Sequence, residues 1–191
     1  MGVFDNYKQK DAVCVVYTGE GKGKTSASMG LMTRALGRGW KVAFIQFIKH
    51  WEVGEHTFIH KIQPLFKDDL YFYKGGKGFY NAPEGMGEEG VTEEDHKQAA
   101  QETYDEAYKA ATSGKFDLVI CDEINNAVNN GLLTVKQLEK LMKDRKKNTS
   151  LCLTGRNFPE SLIPLTDITT NMKKIKHHFD DKYLANKGID Y

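Results

Sequence analysis

The chain is poor in arginine, cysteine and proline, and neither sign of charge is in excess. Only four of its 27 basic residues are arginine, and 26 acids leave a formal net charge of +1. So balanced a chain has no broad positive field. So few guanidinium forks also argue against reading nucleic acid. No run approaches the roughly 18 apolar residues of a spanning helix. The opening MGVFDN has neither a charged-then-apolar leader nor the hydroxyl residue of a myristoylation signal, so no membrane attachment is expected. Cys14, Cys121 and Cys152 stand singly inside apolar runs. They are expected to be reduced, buried thiols rather than disulfide partners or metal ligands, and the cytoplasm is the expected compartment.

What is present is ordinary in bulk: 191 residues, 40% hydrophobic and 28% charged, expected to form one domain over 1–191. Apolar runs alternate with helical patterns, which predicts an α/β fold: a mostly parallel sheet with helices on both faces. Strands are expected at 12–18, 41–48, 116–123 and 150–155, with shorter ones near 70–73 and 167–170. Helices are expected at 24–38, from Thr92 as N-cap to about 113, and at 134–146, with a helical turn after Pro159. The basic run 143–147 reads as the solvated end of its helix. Residues 1–11 form a short N-terminal extension. Residues 74–91 hold six of the 18 glycines and read as a long functional or disordered loop.

The densest chemistry lies in TGEGKGKT, residues 18–25, between an expected strand and an expected helix. A glycine loop there presents backbone N–H groups to an anion at the positive end of the helix. Lys24 can reach phosphate oxygens, and the Thr25 hydroxyl can ligate Mg²⁺. The strict G-x-x-x-x-G-K-[ST] spacing is not met, because Thr18 stands at its first glycine and the glycines sit at 19, 21 and 23. A bare glycine-rich turn is the alternative. Asp122 and Glu123, ending the apolar LVICDE, resemble a Walker B pair that can position Mg²⁺ opposite Thr25. The two motifs together indicate a Mg-nucleoside triphosphate, without saying which bond breaks.

With the rest of the chain these residues resemble the ATP:corrinoid adenosyltransferases that carry a P-loop. The resemblance runs through TGEGKGKT (18–25), RALGRGWKVAFIQFIK (34–49), GE (54–55), CDEINNAVNNGLL (121–133), LTGR (153–156), KHHFD (176–180) and KGIDY (187–191). It implies a P-loop NTPase-like fold. It also implies transfer of the 5′-deoxyadenosyl group of Mg-ATP to Co(I) of a corrinoid, with release of triphosphate. ATP would lie reversed in the loop, with its ribose at the reaction centre. Thr18, Gly19, Glu20, Gly21, Lys22, Gly23, Lys24, Thr25 and Ser26 would cradle the nucleotide. Lys24, Thr25 and Glu123 would be catalytic, and Thr25, Asp122 and Glu123 would hold Mg²⁺. A homodimer and an electron donor that reduces Co(II) are implied as well.

Other residues are weighed singly. Arg156 is expected to bind phosphate from across the cleft, against a surface ion pair. Lys49 is a similar candidate. Asn125 either orients the Mg²⁺ shell or the nucleotide, or caps a short helix. Trp51, Phe79 and Tyr80 are the expected corrinoid-pocket aromatics, Phe79 above all as a wedge that keeps axial ligands from cobalt. His177 and His178 are expected to pack or hydrogen-bond rather than ligate metal. His56 stands where the family commonly has arginine, and Asn81 where it has tryptophan. A Mg-ATP hydrolase or kinase, in which Glu123 activates water, is the nearest rival, and an inert nucleotide-binding module the next.

Overall fold

The computed structural model describes residues 3–78, 80 and 90–191. The expected wedge residue Phe79 and Asn81 lie outside the described residues. Among the described residues six strands form one sheet, ordered β3-β2-β4-β5-β1-β6, with every pairing parallel. They are β1 (Cys14–Thr18), β2 (Val42–Gln46), β3 (Leu70–Lys74), β4 (Leu118–Asp122), β5 (Ser150–Thr154) and β6 (Ile168–Asn171). β1, β2, β4 and β5 lie within their expected strands, trimmed at the ends, and β3 and β6 each run one residue past theirs. The basic run at 143–147 departs further from expectation. Its helix ends at Asp144, and Arg145 turns extended and donates to the Met142 carbonyl at 3.0 Å.

The strands sort their side chains by period two. Cys14, Val16, Ala43, Ile45, Val119, Cys121, Leu151 and Leu153 face one core, which α3 (Glu93–Ser113), α4 (Ile124–Asn129) and α5 (Val135–Asp144) cover. Val42, Phe44, Leu118, Ile120 and Cys152 face the other, beneath α1 (Lys24–Leu36) and α2 (Gly54–Phe66). Burial on both faces explains why the central strands read as unbroken apolar runs. All three cysteines are buried free thiols. No described helix is long and apolar enough to cross a membrane.

Two helices begin as their residue types dictate. Thr92 accepts from the Asp95 N–H at 3.2 Å, and Asp95 accepts from the Thr92 N–H at 2.8 Å. Thr134 and Gln137 repeat this reciprocal cap on α5. Helix α2 was not foreseen. Its N-cap is Val53, which has no capping oxygen, and Pro64 falls inside it. The cap comes instead from a ring: Nδ1 of His56 faces the Val53 N–H at 3.4 Å. Its hold on the sheet comes from Ile59, fully buried in the second core. Helix α4 enters the sequence reading only as a short helix for Asn125 to cap, and two of the three 3₁₀ turns among the described residues, Lys67–Asp69 and His178–Asp181, were not anticipated. They are too short for a periodic signal.

If burial of Ile59 fastens α2, Ile59→Ala should cost about 2–5 kcal/mol in denaturant unfolding. Leu65→Ala, on the same helix but 79% exposed, should stay within about 0.5 kcal/mol. Equal losses from the two variants would mean that α2 does not pack this way.

Candidate active site

Parallel strands bring their carboxyl ends to one edge, where open α/β sheets bind ligands. At that edge β1 delivers the glycine loop, β2 Gln46, β4 Asp122 and Glu123, and β5 Thr154 and then Arg156. Register aligns Gln46 with Asp122 across β2 and β4, and Tyr17 with Thr154 across β1 and β5.

The glycine loop is shaped partly by its own chain. A side chain on Gly19 (φ +105) would put Cβ 2.2 Å from Oδ1 of Asn171, and one on Gly21 would come within 2.6 Å of the Met172 carbonyl oxygen. The Gly21 N–H donates to that same oxygen at 2.6 Å. These two glycines therefore serve close approach of the segment after β6 as well as any anion. Lys24 curls over the loop and donates to the carbonyls of Gly19 (2.7 Å) and Gly21 (2.6 Å). Burial, and then Arg156, lower its pKa. Lys22 is exposed and pairs with Asp190 at 3.1 Å, so the C-terminal turn touches the loop. Thr18 accepts from the Phe158 N–H at 3.1 Å, tying the loop to the turn after β5. Glu20 and Arg156 meet at 3.1 Å, and Ser26 lies exposed on the first turn of α1. Both partners of the Glu20–Arg156 pair are more than half exposed, so the pair is weak and an incoming phosphate can replace it.

At the centre lies Asp122, fully buried. Its carboxylate accepts from Thr25 Oγ1 (3.1 Å), Gln46 Nε2 (2.8 Å) and Thr154 Oγ1 (2.7 Å), and Ser28 Oγ lies 3.4 Å away. Thr154 in turn accepts from the Glu123 N–H at 2.9 Å. Glu123 sits in the left-handed region at φ 66, and its carboxylate accepts from Asn126 at 2.6 Å. Burial, and next the Asp122 charge, push its pKa up, while Lys49 opposes them. Lys49 itself pairs with Glu55 at 3.0 Å. Burial works against its charge but is outweighed by Asp122, Glu123 and Glu55, so its pKa rises. Asn125 donates to the Gly155 carbonyl at 3.4 Å. Its buried Oδ1 has no hydrogen-bond partner among the described residues.

The expected residues of the loop and the β4 end thus gather at one edge. Tyr80 packs edge-on against His96 of α3, with ring centres 5.4 Å apart, and Trp51 lies half-buried in the segment between β2 and α2. His177 accepts from the Phe179 N–H at 3.0 Å. His178 brings Nε2 within 3.5 Å of Asp190, yet that buried nitrogen has no hydrogen-bond partner among the described residues. Sequence reading missed Gln46, Ser28 and Thr154 at the site and noted His56 only as a departure from the family pattern. The signal for the first three was present: a glutamine, a serine and a threonine in stretches otherwise apolar enough to be buried, where a polar side chain needs a partner.

A sheet edge with an anion-suited loop, two lysines and a paired buried carboxylate defines a candidate nucleotide site. Comparison with known proteins makes this specific. Residues 10–191 match the family model ATP:corrinoid adenosyltransferase BtuR/CobO/CobP. The chain is similar to the corrinoid adenosyltransferase of Escherichia coli K12, 29% identical over 94% of this chain and 85% of that one. It is 32% identical to that of a Sinorhizobium species over 93% and 79%, and 30% to that of Pseudomonas aeruginosa over 96% and 86%. The chain belongs to the ATP:corrinoid adenosyltransferase family, whose reaction moves the adenosyl group of ATP to a corrinoid.

The raised pKa of Glu123 has a consequence for stability. A carboxyl whose folded value lies above its unfolded one favours the folded state below the unfolded value. That contribution disappears as pH rises through the folded value. Glu123→Gln should therefore be more stable than the wild type at pH 8, with the difference shrinking toward pH 4. Parallel stability–pH curves would show that Glu123 carries no such cost.

Proposed function

We propose that the glycine loop and the Asp122 edge hold Mg-ATP while the chain transfers its 5′-deoxyadenosyl group to Co(I) of a corrinoid. The electron pair of Co(I) forms the Co–C5′ bond, the C5′–O bond breaks, and inorganic triphosphate leaves. No proton moves in this step, so no protein base is required. The protein's tasks are to aim C5′ for in-line attack and to stabilise charge on the departing triphosphate. The observation that carries the reading is the meeting of loop and strand end. The Thr25 hydroxyl donates to Asp122 at 3.1 Å, which leaves its oxygen lone pairs for a cation beside the phosphates.

Lys24 and Lys22 supply positive charge to the triphosphate. Lys24 exchanges the Gly19 and Gly21 carbonyls for phosphate oxygens, and Lys22 is shared with Asp190. Arg156 leaves Glu20 for the nucleotide. Thr18, Gly19, Glu20, Gly21, Gly23 and Ser26 complete the cradle. The Mg²⁺ reading fits the donors: Thr25, Asp122 and Glu123 offer oxygen only, as a hard cation prefers. No cluster of three or more His, Cys, Asp or Glu exists among the described residues to build a self-sufficient metal cage. Held by Thr25, Asp122 and Glu123, Mg²⁺ would offset the charge of the phosphates. Trp51 and Tyr80 are assigned to the corrinoid side, as is Phe79.

The fold we read as P-loop NTPase-like, formed as one domain over the whole chain. A homodimer is supported by the exposed edge strand β6, all four residues of which face solvent. A cytoplasmic setting is supported by three buried free thiols. An electron donor must deliver the cobalt as Co(I).

Lys24→Ala and Thr25→Ala should each cost about 2–4 kcal/mol of transition-state stabilisation, measured as loss of adenosyl transfer at saturating Mg-ATP, with melting temperature retained. Wild-type turnover in either variant would sink the phosphate-cradle assignment.

A further inference from the structure

Behind Asp122 a line of buried polar groups runs away from the nucleotide side. Gln46 gives its amide nitrogen to Asp122 at 2.8 Å and turns its amide oxygen toward Nε2 of His56, in a short hydrogen bond. Gln46 and His56 are both fully buried. The polarity of this line is forced from one end. A carboxylate only accepts, so Gln46 must present its NH₂ group to Asp122. Its oxygen then faces His56, and Nε2 must carry a proton to meet it. Nδ1 is left as an acceptor, and it faces the Val53 N–H at 3.4 Å. Glu52 lies 3.5 Å from Nδ1. It is paired with Lys74 at 2.6 Å and so needs no proton from the ring. Burial, then Lys74, lower the His56 pKa, consistent with a neutral ring.

We infer that His56 is a positioning residue for adenosyl transfer: its Nε2–H locks the Gln46 amide in the orientation that holds Asp122 against Thr25. Without that donor the buried Gln46 amide oxygen would have no partner, and the amide would turn away from Asp122 to find one. Asp122 would lose one of its two shortest hydrogen bonds and drift from the Thr25 hydroxyl. The inference rests on the reading of Thr25 and Asp122 as the Mg-ATP end of the site. A merely structural role for His56, capping α2 and packing on Phe72 with ring centres 5.6 Å apart, is the competing account.

Two measurements separate them. In the unliganded wild type, ¹⁵N NMR should find the His56 ring neutral with its proton on Nε2, and the Gln46 NH₂ protons resolved and slow to exchange. A proton on Nδ1 alone overturns the inference whatever the variants do. Next, calorimetric titration of ATP binding against Mg²⁺ compares His56→Leu with His56→Gln, whose amide N–H can replace Nε2–H. His56→Leu should raise the Mg²⁺ requirement by about tenfold or more, as losses behind a metal ligand do. His56→Gln should restore it. An unchanged requirement in a folded His56→Leu, or equal loss in both variants, rejects the positioning role. Asp122→Asn is the control. If it shifts the Mg²⁺ requirement while His56→Leu does not, only the His56 inference fails. If neither does, the assignment of the nucleotide site fails with it.

Discussion

A buried carboxylate without hydrogen-bond donors is costly, and Asp122 is held at this sheet edge by three neutral ones, Thr25, Gln46 and Thr154, with the Ser28 hydroxyl 3.4 Å away and donating to the Thr25 carbonyl at 2.8 Å. They come from α1, β2 and β5, so the carboxylate can be satisfied only when three elements that are distant in sequence are correctly assembled. Thr25 and Ser28 belong to the first two turns of α1, which places the glycine loop directly over the strand ends. The parallel register that aligns Gln46 with Asp122 and Tyr17 with Thr154 makes the same convergence possible from the sheet. Fold and site are thus one arrangement seen from two sides.

The loop is organised by contacts that a ligand would exchange. Lys24 rests on two loop carbonyls, Arg156 on Glu20 and Lys22 on Asp190. Each of these three cations has a local partner, which offsets the repulsion the loop's lysines would otherwise create. The Glu20–Arg156 pair is exposed and weak, which makes it cheap to break. Glu123 runs the other way: a partly buried acid beside Asp122, in a strained left-handed conformation, is an expense that folding alone would not select.

Much of this was legible in the sequence because its signals are local. Unbroken apolar runs marked the central strands, Thr92 and Thr134 marked their helices, and TGEGKGKT with LVICDE marked the two sides of the site. What was not legible depends on tertiary contact. Helix α2 has no capping oxygen and contains Pro64, so only burial of Ile59 and the His56 ring account for it. Gln46 and Thr154 could be read as polar residues in buried strands, but only tertiary assembly sets both against Asp122. Glycines 19 and 21 suggested an anion, yet the crowding by residues 171–173 from the far end of the chain could not be foreseen. Arg156 was expected at phosphate, and its pairing with Glu20 is a contact that no local motif announced.

The central claim is that this edge directs attack at C5′ of ATP rather than at a phosphorus atom. It is tested most directly by product analysis after incubating the protein in the dark with Mg-ATP and chemically reduced cobalamin. The account predicts a light-sensitive organocobalt spectrum, with one inorganic triphosphate released for each Co–C bond formed. ADP and phosphate in place of triphosphate, with no organocobalt product, would contradict it.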